Sequence, residues 1–134
     1  MESKYKIIFN IKENLYMENA PVVIKAGALV QNTENSNLHI QLKFQNIVNK
    51  TISMLKVRIT LMDIVGRLLG QTENQYLDLN CSRNKLCGSN IPVRIKENAT
   101  RKFSVQVMEV CFSDGSIWEG NDAEWGGNTK SVFS

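Results

Sequence analysis

The sequence predicts an all-β fold, an immunoglobulin-like antiparallel β-sandwich of seven or eight strands, on the basis of three observations. Apolar and polar residues alternate with a period of two in several segments, which gives a strand one buried and one solvated face. Clusters of Asn, Asp, Ser and Gly separate these segments. No segment of ten or more residues has the period of an amphipathic helix. A small β-barrel is the alternative architecture.

The first half of the chain contains four predicted strands, over residues 7–11, 22–31, 38–45 and 55–62. Small residues at 26–28 indicate a β-bulge or the close approach of another layer. The turn-forming cluster at residues 32–37 predicts a hairpin between the second and third strands. The link at residues 46–51 is too short for a crossover helix. We therefore expect the third and fourth strands to pair antiparallel at the centre of one sheet.

The second half contains predicted strands over residues 67–70, 91–95, 101–112 and 117–118. Pro92 predicts an edge position for its strand, because proline cannot donate to a ladder. A change of phase near residues 107–109 indicates a β-bulge. The Asp-Gly dipeptide at 114–115 predicts a two-residue hairpin. Residues 71–79 are ambiguous, and residues 80–90 are predicted to form a loop.

The chain length fits one sandwich domain, predicted over residues 1–120, followed by a flexible polar tail at 121–134. No apolar run approaches the roughly 18 residues of a membrane span, and the N-terminal residues lack the features of a signal peptide. We expect a cytoplasmic protein without a membrane partner. The net charge of +3 neither requires nor excludes a nucleic-acid partner.

One stretch of the chain resembles small bacterial immunoglobulin-like or fibronectin-III-like domains, including FxLYD domains. The shared features are a strand ending in Asn46, a Lys-Thr-Ile turn at 50–52, and an alternating strand that ends with Asp63 and Gly66. The chain is also similar to a bacterial family, without an assigned activity, that carries such a sandwich at its N-terminus. The stretches similar to that family are residues 13–16, 19–22, 76–80 and 114–118. The resemblance covers about residues 5–120 and implies a fold but no catalytic residues.

The sequence contains no pattern of residues that is typical of a catalytic or metal-binding site. The single histidine and thirteen scattered acids do not form a nucleophile–base pair, so we predict no enzymatic activity and no cofactor. Cys81, Cys87 and Cys111 are odd in number, which argues against a closed disulfide framework. Together with His39 they could supply four ligands, but their spacing is unlike that of zinc sites. We predict no metal site.

Three basic residues form a candidate binding face. Lys43, Lys56 and Arg58 are predicted on the solvated face of the third and fourth strands, where they could lie side by side. Such a patch could contact nucleic-acid phosphates, which gives the alternative function. The face lacks the stacking aromatics of many single-strand binders, and solvated lysines are also ordinary on strand surfaces.

Two tryptophans lie near the end of the predicted domain. Trp118 is predicted to cap the core beside Phe112, and Trp125, in the polar tail, has no place in the core and could dock on a partner. The function we expect is that of a protein-interaction or adaptor module. The predicted strands near Ile7 and at 91–95 could accept an added strand from another protein or from a second copy.

Overall fold

The computed structural model of the protein describes residues 4–11, 15–16 and 19–120, with the backbone alone at 15–16. Within these residues the regular structure is entirely strand: β1 (Tyr5–Ile11), β2 (Leu15–Tyr16), β3 (Val22–Asn32), β4 (Leu38–Asn46), β5 (Ile52–Met62), β6 (Leu68–Tyr76), β7 (Leu86–Cys87), β8 (Val93–Ile95), β9 (Lys102–Phe112) and β10 (Ile117–Glu119). The described residues contain no helix that could cross a membrane. The predicted tail at 121–134 lies outside the described residues.

The strands form two antiparallel sheets that pack face to face. Sheet I has the order β1-β3-β4, with β2 also beside β3 and with β7 and β8 on the far side of β4. Sheet II has the order β10-β9-β5-β6. Aromatic rings join the two layers: Phe9 meets Phe103 edge-on at 5.4 Å between centroids, and Phe44 meets Tyr76 at 5.4 Å. The all-β, sandwich-like fold predicted from the sequence is confirmed.

The alternation in β4 and β5 produces the centre of the core. The apolar residues of each strand are buried and point into the space between the sheets: Leu38, Ile40, Leu42, Phe44, Leu55, Val57, Ile59 and Leu61. Their polar neighbours form the outer faces of the two sheets. The burial of each large apolar side chain contributes about 1.5–3 kcal/mol, so these two strands account for much of the hydrophobic stabilisation.

The predicted pairing of β4 with β5 is wrong. β4 pairs with β3, β7 and β8, whereas β5 pairs with β6 and β9 in the other sheet. Asn46 ends β4 fully buried, and its side-chain amide donates to the carbonyls of Lys50, at 2.7 Å, and Cys81, at 2.8 Å. These bonds turn the chain inward and carry it across to sheet II instead of back along β4.

The bulge predicted in β9 is present, and a bulge in β3 lies just before the small residues at 26–28. In β3 the register shifts between Ile24 and Ala26, so that Ile24 faces the core before the bulge and Leu29 faces it afterwards. In β9 the partners of Val57 and Lys56 are Val107 and Glu109, which leaves Met108 as the extra residue. A bulge adds one residue to one strand and reverses the faces of the residues beyond it.

Three segments differ from the sequence prediction. The predicted short strand at 67–70 extends to Tyr76 as β6, which includes the ambiguous segment. The predicted loop at 80–90 contains β7, paired with the end of β4. The β9–β10 turn is a three-residue loop, since the Phe112 carbonyl accepts from the Gly115 amide at 3.0 Å and the Phe112 amide donates to the Ser116 carbonyl at 2.9 Å. Gly115 has a φ of 91° there, whereas Asp114 keeps a negative φ.

Candidate functional site

The three basic residues that the sequence predicts on one face do not all lie in the same sheet. Lys56 and Arg58 lie on the outer face of sheet II, whereas Lys43 lies on β4 in sheet I. Lys56 and Arg58 both contact Glu73 of β6, at 3.6 and 3.1 Å from nitrogen to carboxylate oxygen. The predicted adjacency of Lys43 to the other two is therefore wrong, because the chain changes sheets after Asn46. The carboxylate of Glu73 also offsets part of the charge that a phosphate would need.

The four candidate metal donors occupy three places. Cys81 and Cys87 lie together at the edge of the core, Cys111 lies on the outer face of sheet II beside Glu109, and His39 is on the outer face of sheet I. Among the described residues, no group of three or more histidine, cysteine or acidic side chains is close enough to hold a metal ion. The structure does not bring these donors together.

A groove of about 440 Å³ opens at the end of the sandwich where β9 turns into β10. Its apolar surface comes from Pro21, Val48, Phe112, Ile117 and Trp118. Three separate segments supply these residues: the start of β3, the link from β4 to β5, and the β9–β10 hairpin. We call this the end groove. An apolar concavity of this size fits one or two side chains of a bound segment.

Two residues of β10 give the end groove its apolar side. Ile117 is 58% exposed, although its side chain is large and apolar. Trp118 is half-buried and packs against the core, as predicted from the sequence. A partly buried aromatic ring beside an exposed aliphatic side chain is typical of protein-binding surfaces. Trp125 lies outside the described residues.

A polar cluster forms the rim of the end groove. The ammonium group of Lys50 lies 3.5 Å from the Asp114 carboxylate, donates to the Ser116 hydroxyl at 2.9 Å, and sits 5.3 Å above the Phe112 ring. The hydrogen bond from the Ser116 hydroxyl, followed by its backbone amide and by Lys50, holds the pKa of Asp114 below its ordinary value. Asp114 is therefore ionised at neutral pH, and both charges of the pair face solvent at the rim.

Asn46 positions the wall of the end groove from inside the protein. Besides its two donated bonds, its side-chain oxygen accepts from the Val48 amide at 2.9 Å. The bond to the Lys50 carbonyl fixes the other end of the same short link. A buried amide with three partners holds a loop in one conformation, so Val48 and Lys50 are presented in fixed places.

The other surface concavities are more polar than the end groove. A depression of about 330 Å³ on the outer face of sheet I has a floor of small residues, Ala26 and Ala28, beside Lys43. A second, of about 190 Å³, adjoins His39 and Tyr5. Exposed apolar side chains also occur at the β5–β6 turn, where Val65 is 71% exposed. The end groove has a more apolar lining than either depression, and it adjoins the edge strand β10.

The described strands leave several sheet edges open. β10 has only β9 beside it, β6 has only β5, and β1 and β8 border sheet I, as predicted for both. β10 is the edge that adjoins the end groove. Strand addition to a second copy through β1 or β8 stays a prediction.

Comparison of the chain with protein-family models, with curated proteins and with solved structures finds no match.

Proposed function

We propose that this chain is an immunoglobulin-like, non-enzymatic protein-interaction module of the cytoplasm. The immunoglobulin-like type is supported by the connections: the chain crosses between the sheets after β4, after β6 and after β8. Such crossings are typical of Greek-key sandwiches. The cytoplasmic setting is supported by three cysteines that are all free thiols.

The ligand we propose is an extended peptide segment of a partner protein that lies along β10. Among the described strands β10 has only β9 beside it, so its other edge offers backbone groups for strand addition, and the end groove beside it receives an apolar anchor side chain. Lys50 and Asp114 at the rim contact polar groups of the bound segment. The observation that carries the proposal is the exposure of Ile117 on the wall of this apolar groove.

A lysine in place of Ile117 is expected to weaken peptide binding at least tenfold. The substitution removes a buried apolar contact of about 1.5–3 kcal/mol and puts a charge in the groove. The measurement begins with selection of binders from a phage-displayed library of random linear peptides. The affinities of the selected peptides for the wild-type and Ile117→Lys chains are then compared by calorimetry.

The matched control is Ile64→Lys. Ile64 is 68% exposed at the β5–β6 turn, at the opposite end of β5 from the end groove. This control should bind the selected peptides as the wild type does, and both variants should keep the wild-type melting temperature. Equal loss in both variants, or peptides that bind Ile117→Lys unchanged, would contradict the proposal.

Binding that survives nuclease and added salt argues against the nucleic-acid alternative.

A further inference from the structure

Cys81 and Cys87 lie at a corner where the two sheets meet. Cys81 is bridged to the first residue of β5 in sheet II: its amide donates to the Ile52 carbonyl at 2.9 Å, and its carbonyl accepts from the Ile52 amide at 2.8 Å. Cys87 belongs to β7 and is paired with Phe44 of β4 in sheet I. The short segment between the two cysteines therefore passes from one sheet to the other.

Both cysteines pack against the edge of the same hydrophobic core. Cys81 is only 3% exposed, and Cys87 is half-buried against the same cluster. The Cys81 thiol donates to the carbonyl of Lys85 at 3.4 Å, and Lys85 lies two residues before Cys87 in the same short segment. The backbone also holds the segment in place, because the Asn46 amide donates to the Lys85 carbonyl at 3.1 Å. The Cys81 thiol thus lies against the segment that carries Cys87, and backbone hydrogen bonds fix that segment.

We propose that Cys81 and Cys87 form a reversible disulfide that links sheet I to sheet II. The oxidant is a low-molecular-weight disulfide such as oxidised glutathione. The thiolate of one cysteine attacks a sulfur of the oxidant, forms a mixed disulfide and releases one thiol molecule. The second cysteine then attacks its neighbour's sulfur and releases a second thiol molecule. The protein loses two protons and two electrons, which the oxidant gains.

The surroundings of the pair set the rate of this reaction. Burial, followed by the hydrogen bond to Cys81, raises the pKa of Cys87 to about 12, so this side chain is a neutral thiol at physiological pH. Thiol groups of this kind react slowly, since the thiolate is the nucleophile. The pair therefore responds to a sustained oxidising environment, and oxidation speeds up as pH rises. Cys111 is excluded as a partner by its position on the outer face of sheet II.

The test treats the folded 134-residue chain with oxidised glutathione and reads the product by intact mass and peptide mapping. The wild type and Cys111→Ser should each lose two hydrogens through a Cys81–Cys87 link. Their melting temperatures should rise by about 5–10 °C, because the link closes a loop across the sheets. Cys87→Ser should instead stop at a glutathione adduct or stay unmodified, with no such rise.

Two results would overturn the proposal. One is a folded Cys111→Ser chain that gains only glutathione adducts under conditions that oxidise a reference dithiol. The other is a disulfide that includes Cys111 in the wild-type chain. Because Cys111→Ser keeps both proposed partners and changes only a surface thiol, its outcome does not depend on whether Cys87→Ser folds.

Discussion

Replacement of Asn46 by alanine is expected to lower the free energy of unfolding by about 3–5 kcal/mol. The side chain is fully buried and makes three hydrogen bonds, two to carbonyls and one from the Val48 amide. Alanine cannot replace any of them: the Val48 amide would lose the bond that Asn46 accepts, and the carbonyl of Cys81 would keep only its bond from the Ile52 amide. Each buried polar group left without a partner costs about 1–3 kcal/mol.

The measurement is urea denaturation of Asn46→Ala beside Asn49→Ala. Asn49 lies in the same link but is exposed, so its replacement should change stability by less than about 0.5 kcal/mol. Asn46→Ala should also weaken peptide binding at the end groove, since Val48 and Lys50 lose their fixed positions. A destabilisation below about 1 kcal/mol would show that the link is held by other contacts.

Replacement of Gly88 by alanine is expected to cost about 3–4 kcal/mol. Gly88 follows β7 with a φ of 92°, where a side chain is strained. An added Cβ would also lie 2.9 Å from the Phe44 ring and 3.1 Å from the Leu42 carbonyl oxygen. The carbonyl belongs to the backbone of a central strand and cannot move aside, so the clash adds to the strain.

Gly66→Ala is the matched control for Gly88→Ala. Gly66 has the same φ of 92°, but nothing lies within 4 Å of the position that an added Cβ would take. Its replacement isolates the conformational cost, which we expect to be about 1–2 kcal/mol. Thermal and urea unfolding of the two variants measure the difference between their free energies of unfolding. Equal losses would mean that the core beside Phe44 relaxes around the added methyl group.

Local patterns in the sequence were sufficient to predict the faces of β4, β5 and β9. The residues from Leu38 to Phe44 and from Leu55 to Leu61 alternate because one face of each strand is buried. This alternation is the same whichever strand lies beside them. The bulge at Met108 was equally visible, because a change of phase appears within one strand. These features depend on neighbours one or two residues away.

The pairing of strands could not be predicted in this way. A polar link of six residues has the same composition whether it closes a hairpin or crosses between sheets, and the burial of Asn46 depends on Cys81, thirty-five positions away. β6 was ambiguous because its core-facing positions include Thr72 and Asn74, which lie half-buried near an open sheet edge. An edge position demands less hydrophobicity than a central one.

The candidate site was predicted only in part. Trp118 was identified because a tryptophan after an Asp-Gly turn stands out, and it does line the end groove. Lys50 and Val48 were missed as groove residues, since nothing in the link distinguishes them from solvent-exposed loop residues. The only signal was their position next to Asn46, whose burial the sequence does not reveal.

The passage of the chain from β4 into the other sheet also has a kinetic consequence. The longest pairing of β5 is with β9, and the paired residues include Ile52 with Phe112 and Leu61 with Phe103. The chain loses conformational entropy when it closes such long loops, and it does so before the contacts that compensate for this loss can form. Hydrogen-exchange labelling during refolding should therefore protect the β3–β4 hairpin first and β5 with β9 only in the final, rate-limiting step. Until that step, the refolding chain exposes the apolar face of β5.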